Sequence, residues 1–343
     1  MGGAGGGSAV RGCLLTIEKR KPEVSHMSQS EDILVAPAIV HKRATRWHIL
    51  VFLLPCVLIY TVVMVLPLIE TLRQAFFNVV DGERAFVGFA NFKVLFGDAN
   101  WSRDFWNALK NNMIFFFIHM LVQNPIGILL AAMLSLPKLR FAAFYRTAIF
   151  LPTLLSFVIV GFIWKLILSP IWGVAPWMMD LVGLKWLFGP WLGKADTALV
   201  TVSLVSVWQF VGIPMMLIYA ALLNIPDEII EAAECEGITG WSQFFKIKLP
   251  LILPSIGLIS VMTFVANFNA FDLVYSMQGA LAGPDKSTDI LGTFLYRTFF
   301  GFQLQLGNQS MGATIAAVMF LIILAGVSLY LFGIQRRMRR YQF

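Results

Sequence analysis

Residues 229–250 read IIEAAECEGITGWSQFFKIKLP, a charged segment of helical texture set between two long apolar runs. Pro226, just ahead of it, has no N–H to lose at a helix start, and Asp227 and Glu228 suit the positive end of a helix dipole. Ile229, Ile230 and Ala233 then fall on one face at helical spacing. Gly237 stands where a helix ends by turning through positive φ, a conformation that a Cβ penalises. Thr239 is placed to cap a second helix through Trp241 to Lys248, and Leu249-Pro250 leads into the next apolar run. Segment 226–250 is therefore expected to form a helix–turn–helix hairpin with arms of about 10–15 Å at 1.5 Å per residue. Taken by itself, such a hairpin reads as an interfacial connector.

The surroundings are those of a membrane protein. Of 343 residues, 58% are hydrophobic and only 13% charged, about half the charge of a soluble domain. Six apolar stretches, 49–68, 113–136, 147–164, 197–225, 251–271 and 310–334, are expected to span the bilayer. Pro55, Pro67, Pro125, Pro152, Pro214 and Pro254 lie within them, where neighbouring helices can satisfy the freed carbonyls. The net charge of +7 sits beside these runs, as an orientation signal does, and nucleic-acid binding is not expected. Lys and Arg gather in 1–46, 137–146, 226–250 and 335–343, most densely in Gln335-Arg336-Arg337-Met338-Arg339-Arg340, so both termini and the hairpin are expected in the cytoplasm. Segment 1–46 combines a glycine-rich start with Glu18-Lys19-Arg20-Lys21-Pro22-Glu23 and has no apolar core of a signal peptide. It reads as a disordered cytoplasmic arm ahead of a transmembrane domain 47–343, and Met27 opens a more ordinary leader. Cys13, Cys56 and Cys235 form no paired or metal-ligating spacing and read as small apolar residues. Trp172, Trp177, Trp186 and Trp191 punctuate the loop after the third run, either as an interfacial belt or as stacking faces for a sugar.

The spacing within the hairpin carries a resemblance. Glu231-Ala232-Ala233, then Gly237, then Ile247 and Leu249-Pro250 resembles, without departure, the signature that permease subunits of ATP-binding-cassette importers present to their ATPase. Gly88-Phe89-Ala90-Asn91-Phe92, Phe105-Trp106-Asn107-Ala108-Leu109-Lys110-Asn111-Asn112, Arg146-Thr147-Ala148-Ile149-Phe150-Leu151-Pro152 and Gly212-Ile213-Pro214 resemble the carbohydrate, maltose-type branch, over about residues 47–340. The chain departs at Gln278-Gly279-Ala280-Leu281-Ala282-Gly283-Pro284, where the family usually has Thr-x-Gly-Gly-Pro, and it lacks the large insertion of the maltose subunit itself. The resemblance implies a type I importer permease with six helices and a cytoplasmic coupling hairpin, in which Glu231, Ala232, Ala233 and Gly237 engage the ATPase. It also implies the partners: a second related permease subunit, an ATPase dimer and an extracytoplasmic solute-binding protein, in a bacterial inner membrane.

No nucleotide loop is apparent. The nearest approach, Gly189-Pro190-Trp191-Leu192-Gly193-Lys194-Ala195, is one residue short and lacks the hydroxyl, so ATP is expected on a separate polypeptide and no cofactor in this chain. An ion-coupled secondary transporter of a small polar solute is the alternative; it needs ionisable groups inside the membrane, and only His119 and Asp272 come near. For a carbohydrate, the expected contacts are amides among aromatics: Asn267, Asn269 and Phe271, with Asn267 and Phe271 four apart on one helical face, and Trp208 and Gln209 ahead of a kink at Pro214. The resemblance places Trp208, Val211, Gly212 and Met215 at lining positions and matches Asn267 to a sugar-contacting asparagine; Trp208 stands where the maltose site has asparagine, and Ala266 where it has phenylalanine. Asn267 and Asn269 have a second reading as hydrogen-bonding glue between helices, as do Gln123 and Asn124.

Overall fold

The computed structural model describes residues 47–80, 83–136, 139–303 and 305–334. The expected arm 1–46 and the basic tail 335–343 lie outside the described residues, and so does the charge signal drawn from them. Among the described residues, four helices are long and apolar enough to cross a membrane: α1 (Val51–Gln74), α3 (Ala99–Leu134), α10 (Gly240–Phe268) and α13 (Gln309–Gly333). Two bent pairs raise the count to as many as six if each is one span: α4 (Ala142–Phe150) with α5 (Phe157–Ile167), and α7 (Ala195–Phe210) with α8 (Gly212–Leu223).

The bends are the main departure from six plain spans. Between α4 and α5 the axis turns by 97°, inside the stretch expected to be one helix. A short 3-10 turn, Leu151–Leu154, contains Pro152, and Leu155 and Ser156 are extended. Proline removes a donor from the ladder, and the backbone freed at the break finds partners on α7. Gln209 Nε2 donates to the Leu155 carbonyl at 3.1 Å, and Thr153 Oγ1 donates to the Gln209 carbonyl at 2.9 Å. The α7–α8 pair bends by 41° just before Pro214, as expected of a proline kink. There Gly212 lies against α4: a Cβ on it would stand 2.9 Å from the Phe150 Cα.

Short elements tie the spans together. Strands β1 (Phe77–Val80) and β2 (Glu83–Phe86) form an antiparallel hairpin after α1, in register Phe77 to Phe86. On the following α2 (Ala90–Gly97), buried Asn91 donates to the carbonyls of Ala75 and Phe77 at 2.9 and 3.0 Å, which explains an asparagine in the stretch 88–92. The asparagines of 105–112 have the same purpose. Asn107 and Asn111 donate to the carbonyls of Lys286 and Asp289 at 2.9 Å, and Asn112 donates to Asn267 O while accepting from Leu291 N. They stitch α3 to the segment between α11 (Asp272–Gln278) and α12 (Leu291–Phe300). In that segment Asp289 pairs with Arg297, which also holds the Ala280 carbonyl. Burial pushes the Asp289 carboxyl up, against the pull of the Arg297 guanidinium.

Apolar burial centres on α3. One core joins Phe105 and Ala108 to Phe268, Phe294 and Ile315; a second joins Phe115 to Val160, Val202, Val274 and Ile290; a third joins Ala131 to Met215, Ile218, Ile252 and Ile259. By contrast, no residue in the apolar window of α1 is buried.

Candidate functional site

Two places on this scaffold carry chemistry. The first is the hairpin. Its first arm, α9 (Asp227–Cys235), is ended by Gly237 at φ +77°. Ile238 N–H bonds the Ala233 carbonyl at 2.8 Å and Gly237 N–H bonds the Glu234 carbonyl at 3.0 Å. This is the paired closure of a Schellman turn, and it needs a left-handed residue at that position. Ala233 is buried and Ile230 half-buried, whereas Asp227, Glu228, Glu231, Ala232, Glu234 and Glu236 are exposed. Glu231 has no ion-pair partner among the described residues.

The second arm differs from the expectation. It is not a separate helix to Lys248 but the start of α10, which runs unbroken from Gly240 to Phe268. Thr239 occupies its N-cap position with extended backbone, yet its side chain caps nothing; the turn is completed by Gly240 at φ +58°. Gln243, unmarked in the sequence reading, is buried and reaches from α10 back to the Ile230 carbonyl at 3.5 Å, fixing one arm against the other.

The second place is a cavity of about 300 Å³ lined by α3, the start of α5, α7, α8, α10 and the turn into α11, at the low end of small-molecule sites. Phe157, Phe210, Ile213 and Phe271 supply apolar wall, and His119, Gln123, Ser206, Thr263, Asn267 and Asp272 the polar groups. α3 passes it through a five-residue π-helical stretch, His119–Gln123, a distortion frequent at functional positions. His119 Nδ1 lies 2.7 Å from the Phe115 carbonyl, which makes it the protonated nitrogen; Nε2, 2.9 Å from Ser206 Oγ, then accepts the serine hydroxyl. The ring is buried with both nitrogens engaged. Asn267 Nδ2 donates to the Thr263 carbonyl at 2.7 Å, so its Oδ1 can only accept, and that oxygen is buried without a donor. Gln123 Oε1 is in the same condition. An unpaired buried amide oxygen costs about 1–3 kcal/mol, so two on one cavity wall amount to a demand for hydrogen-bond donors.

Of the residues expected to contact a carbohydrate, the structure brings Asn267 and Phe271 to this cavity. They are not on one helix: α10 ends at Phe268, and Phe271 lies in the turn at φ −151°, stacked near Tyr275 and Tyr296 at 5.0 Å. The others stand elsewhere. Trp208 points off the opposite side of α7, 42% exposed and edge-on to Trp164. Gln209 is fully buried as the brace of the α4–α5 break, Gly212 admits the close approach of α4, and Met215 fills the third core. Asn269 is exposed and bonded back to the Val265 carbonyl of its own helix. Asn124 is glue, sharing two hydrogen bonds with Thr263 across α3 and α10. Trp172, Trp177 and Trp186 are exposed, away from the cavity. Sequence reasoning passed over Ser206 and Thr263 and left Gln123 among the helix glue. The usable signal was the polar pairs 119/123 and 263/267, each four apart on otherwise apolar helices.

The family described as "Binding-protein-dependent transport system inner membrane component" matches residues 123–340. The probable ABC transporter permease protein YurN of Bacillus subtilis (strain 168) is 32% identical over 277 residues, which cover 80% of this chain and 91% of its own. The lactose transport system permease protein LacF of Rhizobium radiobacter is 29% identical over 272 residues, covering 79% and 89%. A chain of a bacterial ABC transporter involved in the import of the acidic polysaccharide alginate has the same fold, with TM-score 0.69 over 86% of this chain and 96% of its own at 23% identity.

Proposed function

This chain belongs to the binding-protein-dependent transport system inner membrane components, and on that premise we propose that it is a translocation subunit of an ATP-driven sugar importer. The observation that carries the reading is helix α9: acidic, exposed, its Glu231 without an ion-pair partner among the described residues, and closed by the Gly237 turn. Such a helix is built to be gripped by another protein. Glu231 meets a basic group of the ATPase, Ala232 and Ala233 let the helix sit close, and Gly237 sets the angle to α10. Because α10 continues from the hairpin, through a π-helical stretch Phe244–Lys248, to Asn267 at the cavity, a tilt imposed on α9 is passed to the cavity wall along one helix. Alternating access follows when that wall opens to one side and then to the other. ATP is bound by the partner ATPase dimer, solute arrives on an extracytoplasmic binding protein, and the uncovered apolar face of α1 suits lipid and a second permease subunit.

Sugar as the cargo is supported by the lactose relative and by a cavity of amides, hydroxyls and aromatic rings. An ion-coupled carrier would need a group in the cavity free to exchange its proton; His119 is hydrogen-bonded at both nitrogens, which leaves Asp272 as the group such a carrier would have to use. The test is reconstitution in proteoliposomes with the partner permease, ATPase and binding protein. Uptake of a saccharide that requires ATP and survives an uncoupler is the expected result; uptake by this chain alone, abolished by the uncoupler, would overturn it.

A further inference from the structure

We infer that the cavity selects neutral, hydroxyl-donating saccharide units and rejects acidic ones, with Gln123 as a specificity-determining residue beside Asn267. This rests on the sugar-importer reading above and goes beyond it by naming the class of sugar. Three observations carry it. Two amides that line the cavity each carry an oxygen buried without a donor, Asn267 Oδ1 and Gln123 Oε1. Ser206 spends its proton on His119, which leaves its lone pairs to accept. A sugar hydroxyl supplies the donors that these oxygens lack, whereas a carboxylate or phosphate group supplies none.

The second observation is charge. Among the described residues, no Lys or Arg lines the cavity, and the one acidic side chain there is Asp272. A uronate or sugar phosphate would surrender its hydration without a cation to replace it. The third is size. At about 300 Å³ the cavity suits a short saccharide segment, not a long chain. A third unpaired amide oxygen, Gln209 Oε1, belongs to the brace of the α4–α5 break and does not line the cavity.

The experiment must bypass the binding protein, which imposes its own selectivity. A reporter thiol, Met262→Cys, sits on the cavity wall at a half-exposed position. Its maleimide labelling is followed in the assembled, detergent-purified importer with maltose or digalacturonate as the probe. Maltose is expected to slow labelling and digalacturonate, at equal concentration, to leave it unchanged. Gln123→Leu should raise the maltose concentration needed for protection by about 5-fold or more. Ala266→Arg, which adds a cation to the wall, should confer protection by digalacturonate, and it keeps the test decisive should Gln123→Leu fail to assemble. Equal protection by both sugars, or maltose protection unaltered in an assembled Gln123→Leu importer, would overturn the inference. So would a lack of maltose protection in an importer that does take up maltose. Failure of the importer reading is a separate result: no ATP-dependent saccharide uptake in proteoliposomes at all.

Discussion

Helix α9 and the cavity are both polar places on an apolar chain, but they are assembled on different scales. Every bond that closes α9 spans at most five residues: Glu236 to Ala232, Gly237 to Glu234, Ile238 to Ala233. The cavity wall is held by bonds across 87, 139 and 155 positions, those of His119 with Ser206, Asn124 with Thr263 and Asn112 with Asn267. At α9 the charges are left outside, without an ion-pair partner among the described residues, where exposure costs little. At the cavity polar atoms are buried, and each must find a partner or remain a standing cost. A locally built element can be moved as a unit by a partner. A wall built from distant segments changes only when those segments move against one another.

The comparison is broken most severely at the hairpin. Gly237→Val and Glu231→Lys are expected to leave the subunit inserted yet abolish uptake, read as transport beside co-purification of the ATPase. A Cβ at Gly237 would meet no atom within 4 Å, so the valine variant is strained by its φ of +77° alone, at about 1–2 kcal/mol. It relieves that strain by swinging α9. Full transport by both variants would return the hairpin to a connector.

At the cavity, Asn267→Ala should raise the solute concentration for half-maximal uptake by roughly 5- to 150-fold, the equivalent of one buried hydrogen bond at about 1–3 kcal/mol. Subunit assembly should be unchanged, because the contact from Asn112 is to the Asn267 backbone. Lost assembly with unchanged half-saturation would make Asn267 helix glue instead. Gln209→Ala should show the reverse pattern: the Leu155 carbonyl loses its donor, lowering thermal stability in detergent by about 1–3 kcal/mol with half-saturation unmoved. A selective change in half-saturation for Gln209→Ala would place it in the pathway. The smallest effects belong to Trp208→Ala and Ser242→Ala, both on exposed surface. Each is expected to transport normally, and a weakened apparent affinity in Trp208→Ala would extend the pathway past Trp164.

Much of this was legible in the residues themselves. Apolar length alone marked the spans, because a helix in lipid must satisfy its own backbone and exclude charge. Gly237 announced the turn, since only a residue without a Cβ sits freely at positive φ. Pro214 announced the bend. These are properties of a few consecutive residues, and sequence order is sufficient to state them.

What the tertiary structure decided is which polar residue faces what. Gln209, Gln123, Asn124 and Asn267 are all amides in apolar spans and look alike in the sequence. One braces a broken helix, one locks two helices together, and two line a cavity and carry an unpaired oxygen. The right-angle break between α4 and α5 is equally silent in the sequence, because a proline in a membrane helix is compatible with a kink, a bend or nothing, according to what lies opposite the freed carbonyl. The partner that answers it, Gln209, is 54 residues away from Leu155, and only folding sets that distance.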